Sequence, residues 1–179
     1  MTSVDWQVRD ATTSDASELA RVAAACFPLA CPPSTAPADI AAFISANLSE
    51  DHFRHYIADP ACNVLVARSA ERIVGYAIGI RHPDGQPAES STIELSKLYV
   101  LPEFHGGPAT ELMQRCIDWA TRCGAPALWL GVNRHNERAQ RFYRRHGFEV
   151  TGTRSFQVGE ALESDFVMER RLPDSRPQD

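Results

Sequence analysis

Two stretches of this chain gather groups that can do chemistry. The first is Leu98-Tyr-Val-Leu-Pro-Glu-Phe-His-Gly-Gly-Pro-Ala-Thr-Glu-Leu-Met113, β-rich at its start, glycine-rich in the middle and helix-patterned at its end. A strand that turns through glycines into a helix aims several backbone N–H groups and the positive end of the helix dipole at one place. That is a cradle for an anion such as a pyrophosphate. The second stretch is Leu128-Trp-Leu-Gly-Val-Asn-Arg-His-Asn-Glu-Arg-Ala-Gln-Arg-Phe-Tyr-Arg-Arg-His-Gly-Phe148, in which Tyr143 follows Asn136 by seven residues and precedes Gly147 by four. Positions 136, 139/140 and 143 recur on one helix face, so a residue capping the start and a phenol two turns on can address one extended ligand. Taken alone, Asn136 reads as an N-cap, Tyr143 as a core aromatic beside Ala139 and Phe142, and Glu94 as a surface carboxylate on a strand. No His, Cys, Asp or Glu group has metal-ligand spacing, so no metal site is expected. No Gly-x-Ser-x-Gly supports a serine hydrolase, and no cysteine falls inside either stretch.

A folded domain must hold these groups, and the composition provides for one. The chain has 179 residues, 44% hydrophobic and 23% charged, close to the average of soluble globular proteins. Its length fits a single domain, placed at 1–172, with a disordered tail over 173–179. A formal charge of −5 disfavours non-specific nucleic-acid binding and suits cationic or amine substrates. The run of arginines at 134, 138, 141, 144 and 145 reads accordingly as a solvated helix face. The longest apolar run, from Ile73 to Ile80, is too short to span a bilayer, and Met1 to Asp10 shows no signal-peptide pattern. Five cysteines without a Cys-x-x-Cys point to reduced thiols and a cytoplasmic location. Cys116 and Cys123 lie seven apart on an expected helix, which places both on one face as core residues.

The element order reads strand, three helices, three strands, helix, strand, helix, two strands: a mixed α/β sheet flanked by helices. Trp6 to Asp10 is the first strand, and Thr12 to Asp15 cap a helix with the stripe Leu19, Val22, Ala23 and Cys26. Phe27 to Pro37 holds four of the 12 prolines and reads as irregular. Helices around 38–47 and 50–58 follow, then a hairpin of 63–68 and 72–81, and a loop over 82–89. In the strand from Thr92 to Leu101, Ile93 and Leu95 share one parity while Leu98 and Val100 share the other. A phase change of that kind predicts a β-bulge near Ser96-Lys97. The next helix carries Ala109, Leu112, Met113, Cys116, Ile117 and Ala120 on one stripe and ends at Gly124-Ala-Pro126. Ala127 to Val132 is a buried-type strand, and Asn136 to His146 a basic helix closed by Gly147-Phe148. Strands 149–158 and 161–171 meet at Gly159-Glu160.

Together the two stretches resemble the acyl-CoA and acceptor halves of the GNAT superfamily of N-acetyltransferases. The resemblance follows element order from about Trp6 to Met168, with its specific motifs between 94 and 148. Cys26-Phe27 before a proline-rich loop, Ser155-Phe-Gln-Val-Gly159 and Asp165-Phe-Val-Met168 look like small bacterial polyamine (spermine/spermidine) acetyltransferases. The resemblance implies a central, mostly antiparallel twisted sheet of about seven strands, splayed between the fourth and fifth. It implies transfer of acetyl from acetyl-CoA to a primary amine by direct attack in a ternary complex. On that pattern Tyr143 protonates the leaving thiolate; its ordinary pKa, about 10, lies above that of a thiol. Glu94 removes a proton from the amine, with Ser96 and Lys97 weaker candidates. The backbone of Leu98, Tyr99 and Val100 completes a ladder with the pantetheine amides and offers an N–H to the oxyanion. His105, Gly106, Gly107, Pro108, Ala109 and Thr110 form the pyrophosphate turn. Asn133, on the splaying strand, Asn136, Arg138 and Tyr143 join the CoA-binding set, and one or two of the arginines at 134, 138, 141, 144 and 145 meet the CoA 3′-phosphate.

The family's turn reads Gln/Arg-x-x-Gly-x-Gly/Ala. Counting forward from His105 puts Pro108 and Thr110 at the glycine positions; counting back from Leu112-Met113 puts Gly107 and Ala109 there and shortens the turn by one residue. The second register keeps Ala109 in phase with the helix stripe and Pro108 near the first turn, where a missing N–H is harmless. In both, His105 stands where the family carries Gln or Arg. Two other functions remain open on these residues: an acyl-CoA-binding module with little turnover, and an enzyme of the same fold acting on a protein amine. The acceptor pocket is expected from 27–60, 82–91 and the last hairpin. The oligomeric state is open, a homodimer being common in the family.

Overall fold

The computed structural model describes residues 5–82 and 93–174. Strand β1 (Gln7–Asp10) leads through a single 3-10 turn into helix α1 (Ala16–Ala30), then α2 (Pro37–Asn47) and α3 (Glu50–Ala58). Strands β2 (Cys62–Ser69), β3 (Arg72–Arg81) and β4 (Ile93–Val100) follow, then α4 (Ala109–Arg122), β5 (Ala127–Asn133), α5 (Glu137–Arg145), β6 (Glu149–Val158) and β7 (Ala161–Arg171). These elements stand in the order read from the sequence. The loop expected at 82–89 lies, beyond His82, outside the described residues, as does the tail past Asp174. No described helix is long and apolar enough to cross a membrane.

The strands form one sheet in the order β1-β2-β3-β4-β5-β7-β6. Every neighbouring pair is antiparallel except β4 and β5, which run parallel. Among the described residues those two pair only at Ile93 with Leu128 and Glu94 with Trp129. Beyond that point they splay apart. Two cores result, one on each sheet face. Helix α4 closes one, burying Leu112, Met113, Cys116, Ile117 and Ala120 against β-strand residues such as Leu65, Leu128 and Leu130. Helices α1 to α3 close the other around Leu19, Phe53, Val66 and Tyr76.

The bulge in β4 is where the parity change placed it. Ile78 pairs with Lys97 and Gly79 with Leu95, so Ser96 is the extra residue. Its insertion returns Leu98 and Val100 to the α4 core that Ile93 and Leu95 occupy, while Tyr99 packs into the other core.

Two expectations fail. The stretch from Phe27 is not irregular throughout, because α1 runs on through Pro28 to Ala30. Pro28 sits in the last turn, where its ring removes one ladder bond, and the turn is held by buried Cys26 and by Phe27 stacked on Phe43 at 4.5 Å. Cys123 is not a core residue: α4 stops at Arg122, Gly124 turns the chain at φ +73°, and the Cys123 side chain is exposed, while Cys116 is fully buried.

Candidate active site

The splay between β4 and β5 opens a cavity of about 1010 Å³. Strand β4 contributes Glu94, Leu98, Tyr99 and Val100 to its wall. The N–H of Leu101 bonds Val74 O on β3, so antiparallel alternation turns the N–H and C=O groups of Leu98 and Val100 away from β3, towards the gap. From Leu95 to Val100 no described strand pairs with β4 on that side. An extended amide chain laid there would find a ready backbone edge.

The turn after β4 contributes His105, Gly106, Gly107, Ala109 and Thr110. Pro108 stays outside the lining and takes the N-cap of α4. The N–H groups of His105 and Gly107 are used within the turn, bonding Pro102 O (3.2 Å) and Phe104 O (3.0 Å). The helical ladder begins with Leu112 N–H on Pro108 O, which leaves the N–H groups of Ala109, Thr110 and Glu111 without intrahelical partners. These, with the helix dipole, could hold an anion. His105 turns back, and its Nε2–H donates to Val100 O at 3.0 Å. Gly106 has φ +86° with open space where a Cβ would stand, whereas a Cβ on Gly107 would press on the Trp6 ring and Phe104 O. A Cβ at 107 would need Phe104 O and the Trp6 ring to give by a few tenths of an ångström, whereas at 106 the left-handed backbone itself favours glycine.

From the other side of the gap come Asn133, Asn136, Arg138 and Tyr143. Asn136 caps α5 by accepting the Ala139 N–H at 3.1 Å. Buried Gln140 ties that helix to the end of β5, donating to Asn133 O (3.2 Å) and Arg134 O (2.9 Å). Tyr143 meets Phe142 and Phe148 edge-on at 5.6 and 5.9 Å, and its hydroxyl bonds no described residue. Burial pushes the phenol's pKa up to about 12, so it holds its proton at neutral pH.

Glu94 lies on the sheet face opposite the α4 core, and its partners were not legible in the sequence. His82 Nε2 lies 2.7 Å from one carboxylate oxygen, and Arg154 of β6 reaches within 3.7 Å of the other. The Arg154 guanidinium also lies 3.5 Å from buried Asp165 on β7 and 5.7 Å over the Trp129 ring. Gly131 of β5 makes this position accessible, since a Cβ there would overlap the guanidinium. Burial raises the Asp165 pKa, and Arg154 pulls it back. Glu94, Asp165 and Glu163 all line the cavity, so this part of its wall carries three carboxylates against the cations Arg154 and Lys97. The one sequence signal for this cluster is the paired position of Arg154 and Asp165 across the last hairpin, and it becomes readable only once the register is known. Among the described residues no group of three or more His, Cys, Asp or Glu could hold a metal ion.

The acetyltransferase (GNAT) family matches residues 24–148. An uncharacterized N-acetyltransferase of Mycobacterium tuberculosis is 51% identical over 160 residues, covering 89% of this chain and 99% of that protein. Another, from Lactobacillus delbrueckii subsp. lactis, is 25% identical over 138 residues, 76% of this chain and 80% of its own. Among solved structures, the PaiA N-acetyltransferase of Thermoplasma acidophilum in complex with coenzyme A superposes at a TM-score of 0.77 and 21% identity, over 94% of this chain and 99% of its own. The ribosomal-protein-S18-alanine N-acetyltransferase of Escherichia coli reaches 0.70 at 17% identity, over 98% and 99%. Those two likenesses establish the fold alone. The family match and the mycobacterial relative go further: the chain belongs to the acetyltransferase (GNAT) family and is an acyltransferase, with acetyl-CoA as its co-substrate.

Proposed function

We propose that the protein moves acetyl from acetyl-CoA to the primary amine of a small cationic acceptor, a polyamine-type amine being favoured, by direct attack in a ternary complex. The observation that carries this reading is the pairing within one cavity of a carboxylate-lined side with a phenol whose hydroxyl bonds no described residue. Glu94, held by His82 and Arg154, takes the proton that an alkylammonium must lose before it can attack. Leu98 and Val100 present backbone N–H groups to the developing oxyanion. Tyr143 gives its proton to the leaving sulfur. The N–H groups at the start of α4 take the pyrophosphate, and exposed Arg138 at the rim meets the 3′-phosphate. Acetyl-CoA supplies the activated acyl group. Glu163 and Asp165, beyond Glu94, give further ammonium groups of the acceptor a place to rest. A cytoplasmic location fits five cysteines that carry no disulfide.

The test is a panel of polyamines, amino acids, aminoglycosides and peptides offered with acetyl-CoA, with free thiol measured. Polyamines turned over best would support the proposal. Peptides alone turned over would replace the acceptor class by a protein amine. Tight acetyl-CoA binding without thiol release from any amine would leave a binding module.

A further inference from the structure

Lys97 is the only lysine in the chain; the other 17 of its 18 Lys and Arg residues are arginine. It stands beside the bulge of β4, next to Leu98, and lines the same cavity as Tyr143. Its Nζ lies 3.3 Å from Ser96 Oγ and 5.3 Å over the ring of Tyr56 on α3. No described carboxylate comes within ion-pair distance of it. The cavity therefore contains a primary amine of its own, on a flexible four-carbon stem, on the sheet face that Glu94 also occupies.

We propose that Lys97 is itself an acceptor: when no amine substrate is present, the enzyme acetylates its own ε-amine and so blocks the acceptor side of the cavity. This rests on the acetyl-transfer reading above. The ε-ammonium first gives up a proton. The nitrogen then forms a bond to the acetyl carbonyl carbon as the carbon–sulfur bond breaks, and sulfur departs as the thiol with a proton from Tyr143. The second nitrogen proton passes to Tyr143 through water, so one proton is released overall. Burial lowers the Lys97 pKa, opposed by Glu94 on the same strand and Cys62 on β2, while Arg154 on β6 lowers it further. A larger share of free amine than on a surface lysine follows at neutral pH. Guanidinium groups stay protonated and are not acylated, which leaves Lys97 the one side-chain amine the reaction can consume.

The experiment incubates the full chain with acetyl-CoA alone and reads intact mass and peptide maps. The expected result is one acetyl group per chain on the Lys97 peptide, at a rate independent of protein concentration. Desulfo-CoA should suppress the labelling, Lys97→Arg should remove it, and amine turnover should fall in proportion to the labelled fraction. Peptide mapping of the wild-type chain decides the site even if the variant folds poorly. Equal labelling in urea, or labelling that survives desulfo-CoA, would reduce it to chemical acylation and overturn the proposal. An unmodified Lys97 in protein that binds acetyl-CoA by calorimetry and releases thiol with amines would overturn it while leaving the acetyl-transfer reading intact. Absence of acetyl-CoA binding would overturn both.

Discussion

Replacing Tyr143 by Phe isolates one hydroxyl. The ring keeps its edge contacts with Phe142 and Phe148, and no hydrogen bond to a described residue is lost. Removing a hydroxyl that bonds no described residue strands no partner, so stability should change by less than about 1 kcal/mol. Acetyl-CoA affinity should hold as well, because the N–H groups proposed for the pyrophosphate lie across the gap at the start of α4. The chemical step should not hold. General acid catalysis contributes about 10²–10⁴-fold, which is roughly 2.7–5.5 kcal/mol of barrier. The raised phenol pKa sharpens the expectation: with the group protonated up to about pH 12, the wild-type rate should show no loss of this acid between neutral pH and pH 10. The assay measures free thiol at saturating amine, with calorimetry for acetyl-CoA and a thermal melt for stability. Turnover within about twofold of wild type, in a variant with unchanged melting and binding, would refute the acid role and leave Tyr143 a packing residue.

Glu94→Gln keeps a partner for His82 but cannot take a proton. Its rate should fall most near neutral pH and partly recover at high pH, where free amine is already present; a pH–rate profile parallel to wild type would remove Glu94 from the mechanism. Gly131→Ala should push the Arg154 guanidinium, the mobile end of its side chain, off its place beside Glu94 and Asp165 at little steric cost, with amine KM rising more than that of acetyl-CoA. An unchanged amine KM would show that the guanidinium does not need that space. Burial lifts the thiols from 9.0 to about 11 at Cys26 and about 12 at Cys116, so the folded state keeps protons that the unfolded chain releases. Stability from these groups is complete below pH 9 and is lost as pH climbs through 11 to 12; a urea midpoint flat across that window would contradict the assigned burial.

The elements and the bulge were legible because they rest on local signals: parity along β4, the helical stripe of α4, and the cap and glycine around α5. The pocket side of the site was legible only in part. Tyr143, Asn136 and the turn at 105–110 lie within two short stretches, and the structure brings them, Pro108 excepted, to one cavity. Arg154, Asp165 and His82 come from three separate places, and nothing near any one of them in the chain points to Glu94. Their meeting depends on the β5–β7–β6 register and on the space above Gly131. The proline stretch misled for a related reason. Local chemistry argued against helix at Pro28, and a tertiary contact, Phe27 on Phe43, outweighed it.

The seam between β4 and β5 has a mechanical consequence. Among the described residues two paired positions stitch the half-sheet β1–β4 to the half-sheet β5–β7–β6, whereas β3 and β4 are stitched along most of their length. A ligand seated in the gap then works as a missing strand, and part of its binding free energy becomes cohesion between the halves. Amide hydrogen exchange in the ligand-free protein should therefore divide into two blocks of unequal protection. Saturation with CoA at a hundredfold excess over Kd, equivalent to about 2.7 kcal/mol of added stability, should draw the two blocks towards a single cooperative unit.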